Sequence, residues 1–444
     1  ETKGKENNGA IYGRRSDWQD LYSIAKKYYE ALLADPGNAL FHLTDPRGAS
    51  DKSGRTFNNP YQYFFEQMHM DDAIYADESI YEYPMQQGGG NDGRPYSFGR
   101  PSSGGSKAAY PCKSYGQGRI NPAYFYGVFD PNDMRRDVSI TMTGSNGKGV
   151  EKLIPFVPNS KAEGGGLTLN KWDENRQANP WVAAQRKSGI NGPYMRMSEV
   201  YLGYAEVCAA LGDVVTGKQY LKTVRERSFP QGLANTDAFI ASFGNDLVRA
   251  IIEERGFEYA GEGDRRWTLI RSGYLPEDIK RIKDMTKAMM DGLATKGYYE
   301  FENGNIISAY IWTKLVDAKT IYGHRLTAQC PTDKVNDPVL YPGWRGQKDN
   351  WEEMGLNYGS STPATNLAIK GLFEIVSEEE AASLESQGYT KVNWGIDLVD
   401  NRDEYDKYLF WDYDYVSAPI YLWPFTPNVM AAGGFTNGYG FKQE

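Results

Sequence analysis

Apolar residues recur three and four positions apart in several separate stretches of this chain, and each such stretch predicts an amphipathic helix. Trp18, Leu21, Ala25, Tyr28 and Leu32 form the first stripe, with Ser16 and Asp17 placed to cap its start and Pro36 and Gly37 to end it. A shorter helix is expected from Pro60 to Met70. Tyr194, Met197, Tyr201, Tyr204, Cys208 and Leu211 repeat the spacing, with Pro193 just inside the start and Gly212 past the end. Tyr220, Leu221 and Val224 place a return helix over Gly217 to Arg227, and the small Ala205 lets the two helices of this hairpin cross closely. A third long helix is expected from Thr236 through Phe239, Phe243, Leu247, Ile251 and Glu254 to Ala260. "RRWTLIRSG" then makes a short helix capped by Asp264 and stopped at Gly273. Such hairpins look like tetratricopeptide repeats, although a period of about 34 residues is not legible.

Between the first helices and the hairpin the pattern changes. Residues 84–122, "PMQQGGGNDGRPYSFGRPSSGGSKAAYPCKSYGQGRINP", are too rich in Gly, Ser and Pro for a long helix or a central strand, so a long loop is expected. Long loops inside compact proteins are commonly functional. The whole chain is 14% aromatic, with Tyr 33, and this loop sets rings beside planar polar groups. Sugars stack their C–H faces on rings and bond their hydroxyls to amides, carboxylates and guanidinium groups. Tyr96, Phe98 and Tyr115 are therefore the expected stacking platforms, with Asn91, Asp92 and Arg94 as hydroxyl partners. Trp172 and Trp344 are further candidate platforms.

Charge and chemistry narrow the function. A formal charge of -9 without a basic stripe argues against nucleic acid. No apolar run of about 18 residues is present to span a bilayer as a helix. Cys112, Cys208 and Cys330 are widely spaced, as are His42, His69 and His324, so neither a zinc site nor a disulfide framework is expected. "DLVDNRDEYD" at 397–406 lacks the Gly turn of a calcium loop and reads as a solvated face.

The densest chemistry lies in "EERGFEYAGEGDRRWTLIRSG", residues 253–273. Glu254 and Glu258 fall one turn apart on one helix face, placed to bond Arg265 or Arg266 across a helix-to-helix corner. So many guanidinium neighbours hold carboxyl pKa values down, which is wrong for a general acid at neutral pH. The stretch is expected to be a structural latch, with no metal and no cofactor.

Three stretches in fixed order carry a family resemblance: "GPYMRMSEVYLGYAEVCAALGD", "VRERSF" and "IIEERGFEYAGEGDRRWTLIRSG". They resemble the SusD/RagB family of outer-membrane nutrient-binding lipoproteins, whose pattern reads approximately R-x-x-E-x-Y-L-x-Y-A-E and then E-R-x-x-E-x-x-x-E-G-x-R-x-x-D-L-x-R. Arg196, Glu199, Tyr201, Leu202, Tyr204, Ala205 and Glu206 fit the first part. Glu254, Arg255, Glu258, Glu262, Gly263, Arg265, Leu269 and Arg271 fit the second, and Thr268 stands where the family often has Asp. "DESIYEY", "DPNDMRRDVSI" and "YLWPFTPNVMAAGGFTNGYGF" extend the likeness from about Trp18 to Phe441.

The resemblance implies a mostly α fold: a tetratricopeptide-like helical hairpin scaffold carrying a loop-rich, irregular ligand-binding portion. It implies a single SusD-like domain over 1–444, with 84–122 and 274–410 as loop-rich insertions. Family members begin earlier, so the lipid-bearing Cys and part of the scaffold are expected to lie outside this chain. It also implies a lipid-anchored position on the extracellular face of an outer membrane, and a SusC-like TonB-dependent transporter as partner. The implied activity is capture of oligosaccharide or polysaccharide without covalent chemistry. Peptide capture on the same fold is the alternative, and a glycoside hydrolase the third reading.

Overall fold

The structure, a computed structural model, describes residues 4–5, 11–12, 16–46, 59–69, 75–89, 93–102, 114–145, 151–157, 165–173, 186–317, 365–409 and 425–434. Gly4–Lys5 (β1) and Ile11–Tyr12 (β2) pair antiparallel, and helix α1, Trp18–Ala34, follows where its apolar stripe places it. One flank of α1, with Tyr22, Ala25, Tyr29 and Leu33, packs against Tyr204, Val207 and Cys208 far downstream. The other flank leaves Leu21, Ile24, Tyr28 and Leu32 exposed. Helix α2, Pro60–Gln67, buries Tyr61, Phe64 and Phe65, and these cluster with Met68, Ala76 and Val138. Strand β3 is Ser79–Tyr83.

The segment 84–122 is not loop throughout. Gly93–Phe98 forms a short helix, α3, in which Pro95 sits in the first turn, where its missing N–H breaks no helical bond. A π-helix spans Tyr124–Val128, followed by α4, Arg135–Ser139. Ile140–Thr141 (β4), Thr143–Ser145 (β5), Glu151–Leu153 (β6) and Thr168–Leu169 (β7) make two antiparallel pairs, β4 with β7 and β5 with β6.

Strand β8, Gly192–Arg196, pairs antiparallel with β3 and runs directly into helix α5, Met197–Ala210. Pro193 therefore lies in a strand, and the periodicity through Tyr194 does not mark a helix start. Helix α6, Val214–Glu226, returns against α5 as expected, its Asp213 side chain accepting from the Thr216 N–H at 3.2 Å. A Cβ on Gly217 would stand 2.9 Å from the Ala205 carbonyl, so the hairpin crosses on these small residues.

The helix expected over 236–260 is two. Helix α7, Thr236–Ala241, ends before Gly244 (φ 66) and Asn245 (φ 64), both left-handed, and Asp246 then caps α8, Leu247–Glu258. At the next corner Gly263 (φ 95), rather than Asp264, is the cap of α9, Asp264–Ser272, because the chain turns there through a backbone conformation that favours glycine. The Asp264 carboxylate instead accepts from Thr268 Oγ1 at 2.9 Å.

Residues 274–410 are not loop-rich where they are described. Helix α10, Leu275–Lys296, is 22 residues long, with Pro276 in its first turn and Gly297 as its left-handed stop. Tyr298–Glu300 (β9) and Ile306–Ser308 (β10) form a hairpin. Tyr310–Asp317 (β11) is the centre of an antiparallel sheet between Thr365–Lys370 (β12) and Thr390–Asn393 (β13). The largest core joins α10, this sheet and the π-helix around Trp394, which donates to the Tyr126 hydroxyl at 2.8 Å. Leu398 and Tyr405 are buried in that core, so the acidic run at 397–406 is not simply a solvated face. No helix among the described residues is long and apolar enough to cross a membrane.

Charged side chains tie these layers together from inside. Glu258, fully buried, accepts from Arg135 at 3.0 Å and from Arg196 and Arg227 at 2.6 Å each. Glu78 accepts from Arg227 at 2.6 Å and Arg196 at 2.9 Å, and Glu254 pairs with Arg135 at 2.7 Å and Arg225 at 2.9 Å. Glu262 meets Lys171 at 2.6 Å and Arg196 at 3.1 Å, while Asp133 takes Arg135 through both carboxylate oxygens. Five carboxylates thus face five cations, drawn from segments remote in sequence. The latch expected of Glu254, Glu258, Arg265 and Arg266 is re-partnered: neither glutamate is seen to bond Arg265 or Arg266. Arg265 bonds Glu253 at 2.7 Å, Asp278 at 2.9 Å and the Ile252 carbonyl at 3.0 Å. Glu254 and Glu258 face inward from α8, toward arginines of other elements.

Burial alone would raise the Glu258 carboxyl, but Arg227, Arg196 and Arg135 override it and hold it well below the ordinary carboxylate range. Burial pushes the Lys171 ammonium down to about 8 even with Glu262 beside it. The Glu258 contribution to stability is complete above the ordinary carboxyl pKa and is lost as pH falls below about 4. Glu258→Gln is expected to cost about 3–5 kcal/mol at neutral pH. It should also flatten the fall in Tm between about pH 5 and 3, read by calorimetry. An unchanged slope in that variant would remove Glu258 as the acid-sensitive group.

Candidate functional site

The β3–β8 ribbon reverses the usual arrangement of charge and ring. Along β3, Glu82 is buried while Tyr81 and Tyr83, two residues apart, share the outer face. Along β8, Arg196 is buried and Tyr194 points out. The three tyrosines meet: Tyr81 and Tyr194 edge to face at 5.5 Å, Tyr83 and Tyr194 at 5.2 Å, Tyr81 and Tyr83 at 6.1 Å. They remain 52%, 45% and 64% exposed for Tyr81, Tyr83 and Tyr194, which makes a ring surface braced by its own members.

Polar contacts beneath hold the ribbon. The Glu82 carboxylate accepts from the Ala76 N–H at 3.0 Å, from the Ser79 hydroxyl, and from Asn191 Nδ2 at 2.8 Å. Asn191 Oδ1 in turn accepts from the Met85 N–H at 2.8 Å, which fixes the exit of β3. Lys187 donates to the Gly89 carbonyl, closing the turn that follows.

Of the residues expected to bind ligand, Arg94 joins this surface. Its guanidinium lies 5.9 Å from the centroids of both Tyr83 and Trp172. A Cβ on Gly192 would stand 1.7 Å from Arg94 Nη1, so the glycine makes room for the arginine against β8. Tyr96 and Trp172 are buried at 5% and 3% exposure, which makes them supports rather than platforms. Tyr115 is half-buried and stands edge-on to Tyr96 at 5.0 Å, while Arg186 covers the Tyr96 ring at 4.4 Å. Phe98 is exposed at the end of α3. Asn91, Asp92 and Trp344 lie outside the described residues. The sequence reading missed Tyr81, Tyr83 and Tyr194. Their signal was the alternation in "SIYEY" and the extended "GPYMR", which pair only across more than a hundred residues.

The family model described as "SusD family" matches residues 44–424. A "SusD-like protein P25" of Formosa agariphila is 28% identical over 160 residues, covering 36% of this chain and 26% of that protein. Among solved structures, a SusD homolog from Bacteroides thetaiotaomicron aligns at 17% identity and a TM-score of 0.41, covering 60% of this chain and 55% of that one. Surface glycan-binding protein A from Bacteroides thetaiotaomicron, in complex with laminarihexaose, aligns at 18% identity and 0.39, covering 59% and 52%. The chain thus spans about half the length of these solved structures, and a quarter of the curated relative is aligned.

Gly192→Ala tests how Arg94 is seated. The colliding atom is the far end of a flexible side chain, so the arginine should swing away with little change in Tm. A displaced Arg94 with melting intact is the expected result in a crystal structure of the variant, and an unmoved guanidinium would show that Gly192 does not set its position.

Proposed function

Because this chain belongs to the SusD family, we propose that it captures oligosaccharide on the Tyr81–Tyr83–Tyr194 surface without covalent chemistry. The observation that carries this reading is the mutual bracing of three exposed rings. Rings already held edge to face lose little freedom when a sugar stacks on them, so more of the stacking energy appears as affinity. Arg94 at the border of Tyr83 adds fixed donors for hydroxyl oxygens. Several rings in contact favour a chain of sugar residues over a single one, because neighbouring residues of the chain bind at once.

The same reading assigns the buried carboxylates to the scaffold. A carboxyl held ionised by three guanidinium groups has no proton to give a glycosidic oxygen at neutral pH. On this proposal the protein sits on the extracellular face of an outer membrane through a lipid anchor, and delivers its cargo to a SusC-like TonB-dependent transporter.

Affinity gel electrophoresis against laminarin, starch and xylan, with a peptide mixture titrated separately by calorimetry, tests the proposal. Retardation by one polysaccharide, with no new reducing ends after overnight incubation, is expected. Tyr81→Ala, Tyr83→Ala and Tyr194→Ala should each weaken retention about two- to tenfold, the equivalent of roughly 0.5–1.5 kcal/mol per ring. Retention indifferent to all three would take the site off this ribbon. Binding confined to peptides would replace the ligand class, and release of reducing ends would make the protein a hydrolase.

A further inference from the structure

We propose that a cavity between the π-helix and the α7–α8 corner is a second binding site, for a single neutral sugar ring or a polyol of that size. The cavity measures about 350 Å³, within the range of small-molecule sites, and shares no residue with the tyrosine surface. Its apolar wall is Phe243 and Phe257, with Phe239 edge to face on Phe243 at 5.2 Å and the Arg225 guanidinium 3.8 Å from the Phe239 centroid. Such a wall suits the C–H face of a sugar.

Arg225 and Arg281 supply the polar side. The Nε of each is buried, and among the described residues neither has a hydrogen-bond acceptor. Each guanidinium is anchored elsewhere, Arg225 by Nη1 to Glu254 at 2.9 Å, and Arg281 by Nη2 to Glu253 at 2.7 Å and Asp278 at 2.8 Å. A buried donor left unmade costs about 1–3 kcal/mol, so both positions favour an oxygen acceptor from outside the chain. Each guanidinium is already matched by a carboxylate, and no net positive charge is left to hold an anion. Asp130 also lines the cavity, its Oδ1 accepting from the Asn132 N–H at 2.8 Å. Its second oxygen can take a hydroxyl proton. Two donors, one acceptor and an aromatic wall describe a neutral ligand bearing hydroxyls on a C–H face.

The backbone around the cavity is built to stay open. Gly127 and Val128 of the π-helix line it, and π-turns are frequent at functional sites. Asn303 donates to the carbonyls of Tyr126 at 2.8 Å and Phe129 at 2.7 Å, and so fixes the wide turn. The left-handed pair Gly244 and Asn245 breaks α7 from α8 beside Phe243.

The test is saturation-transfer NMR and calorimetry with glucose, galactose, mannose and xylose at millimolar concentration. Saturable binding of at least one is expected, weakened about tenfold by Ser242→Trp, which fills the mouth from an exposed position lining the cavity. Asp130→Ala, a half-buried position, should weaken it as well, and serves as the decisive variant should the tryptophan prevent folding. Neither change should alter polysaccharide retention on gels, and Tyr194→Ala should leave the small sugar bound. Binding of none of the four, or binding that survives both cavity variants, or binding abolished by Tyr194→Ala, would overturn this site. Retention on gels judges the tyrosine surface separately.

Discussion

The rest of the structure depends on the contact between Arg196 and Glu258. Both are buried, and a charge taken out of water is tolerable only where its partners are many and well aimed. Here the pair is extended on both sides until Glu78, Glu262, Arg135, Arg227 and their neighbours close a charge-balanced cluster. Removing any one member leaves an uncompensated ion in the interior. That asymmetry makes the cluster a fastener more than a source of net stability.

Where the fastener sits explains the outer surface. Arg196 is the last residue of β8 and the cap position of α5, yet its side chain turns inward to the cluster instead of capping the helix. Two turns of α5 repeat the tie: Glu199 takes Arg255 at 2.7 Å, and Glu206, seven residues on, takes Arg271 at 2.7 Å. Thr268, standing where the family often has Asp, passes its hydroxyl to Asp264 and accepts from Arg255 Nε at 3.3 Å. Arg196 is drawn in while Tyr194, two residues earlier, stays out, and the pairing with β3, whose register shifts on either side of Tyr81, sets Tyr81 and Tyr83 beside it. Of the matched motif positions, Arg196, Glu258 and Glu262 therefore lie in the buried cluster, while Tyr81, Tyr83 and Tyr194 in the same stretches stand exposed.

How much of this was legible follows from which interactions are local. Helices α1, α6 and α9, and the body of α5, were placed correctly because their apolar spacing is written within one or two turns. The α1 stripe, however, named Leu21, Tyr28 and Leu32, which stay exposed, while Tyr22, Tyr29 and Leu33 make the packed flank. The break between α7 and α8 was hidden because Phe239, Phe243, Leu247 and Ile251 keep a helical spacing straight across it. The signal was "GND" at 244–246, a left-handed pair followed by a cap. Tyr194 was absorbed into a helix for the same reason: it stands three residues before Met197, and a five-residue strand is too short to announce a period of two. Its partner strand lies more than a hundred residues away. In the glycine-rich segment the composition was read rightly as irregular, but composition does not say which rings face in. Tyr96 and Trp172 are buried by contacts that only the folded chain supplies.

The arrangement also separates two kinds of energy. Inside, charge pairs act where water does not screen them, and they hold the Glu258 carboxyl ionised well below the ordinary carboxylate range while burial lowers the Lys171 ammonium. Outside, on the proposed site, most of the recognition falls to uncharged rings, with Arg94 at their border, and ring stacking is insensitive to ionic strength because screening acts on charges. A protein of this design can be destabilised by acid without its ligand surface changing chemistry. Ligand affinity per folded molecule and stability then become independent quantities, set by different residues of the same two strands. Arg196 and Tyr194, two positions apart and both in β8, are the clearest instance: one is useful only because it is buried, the other only because it is not.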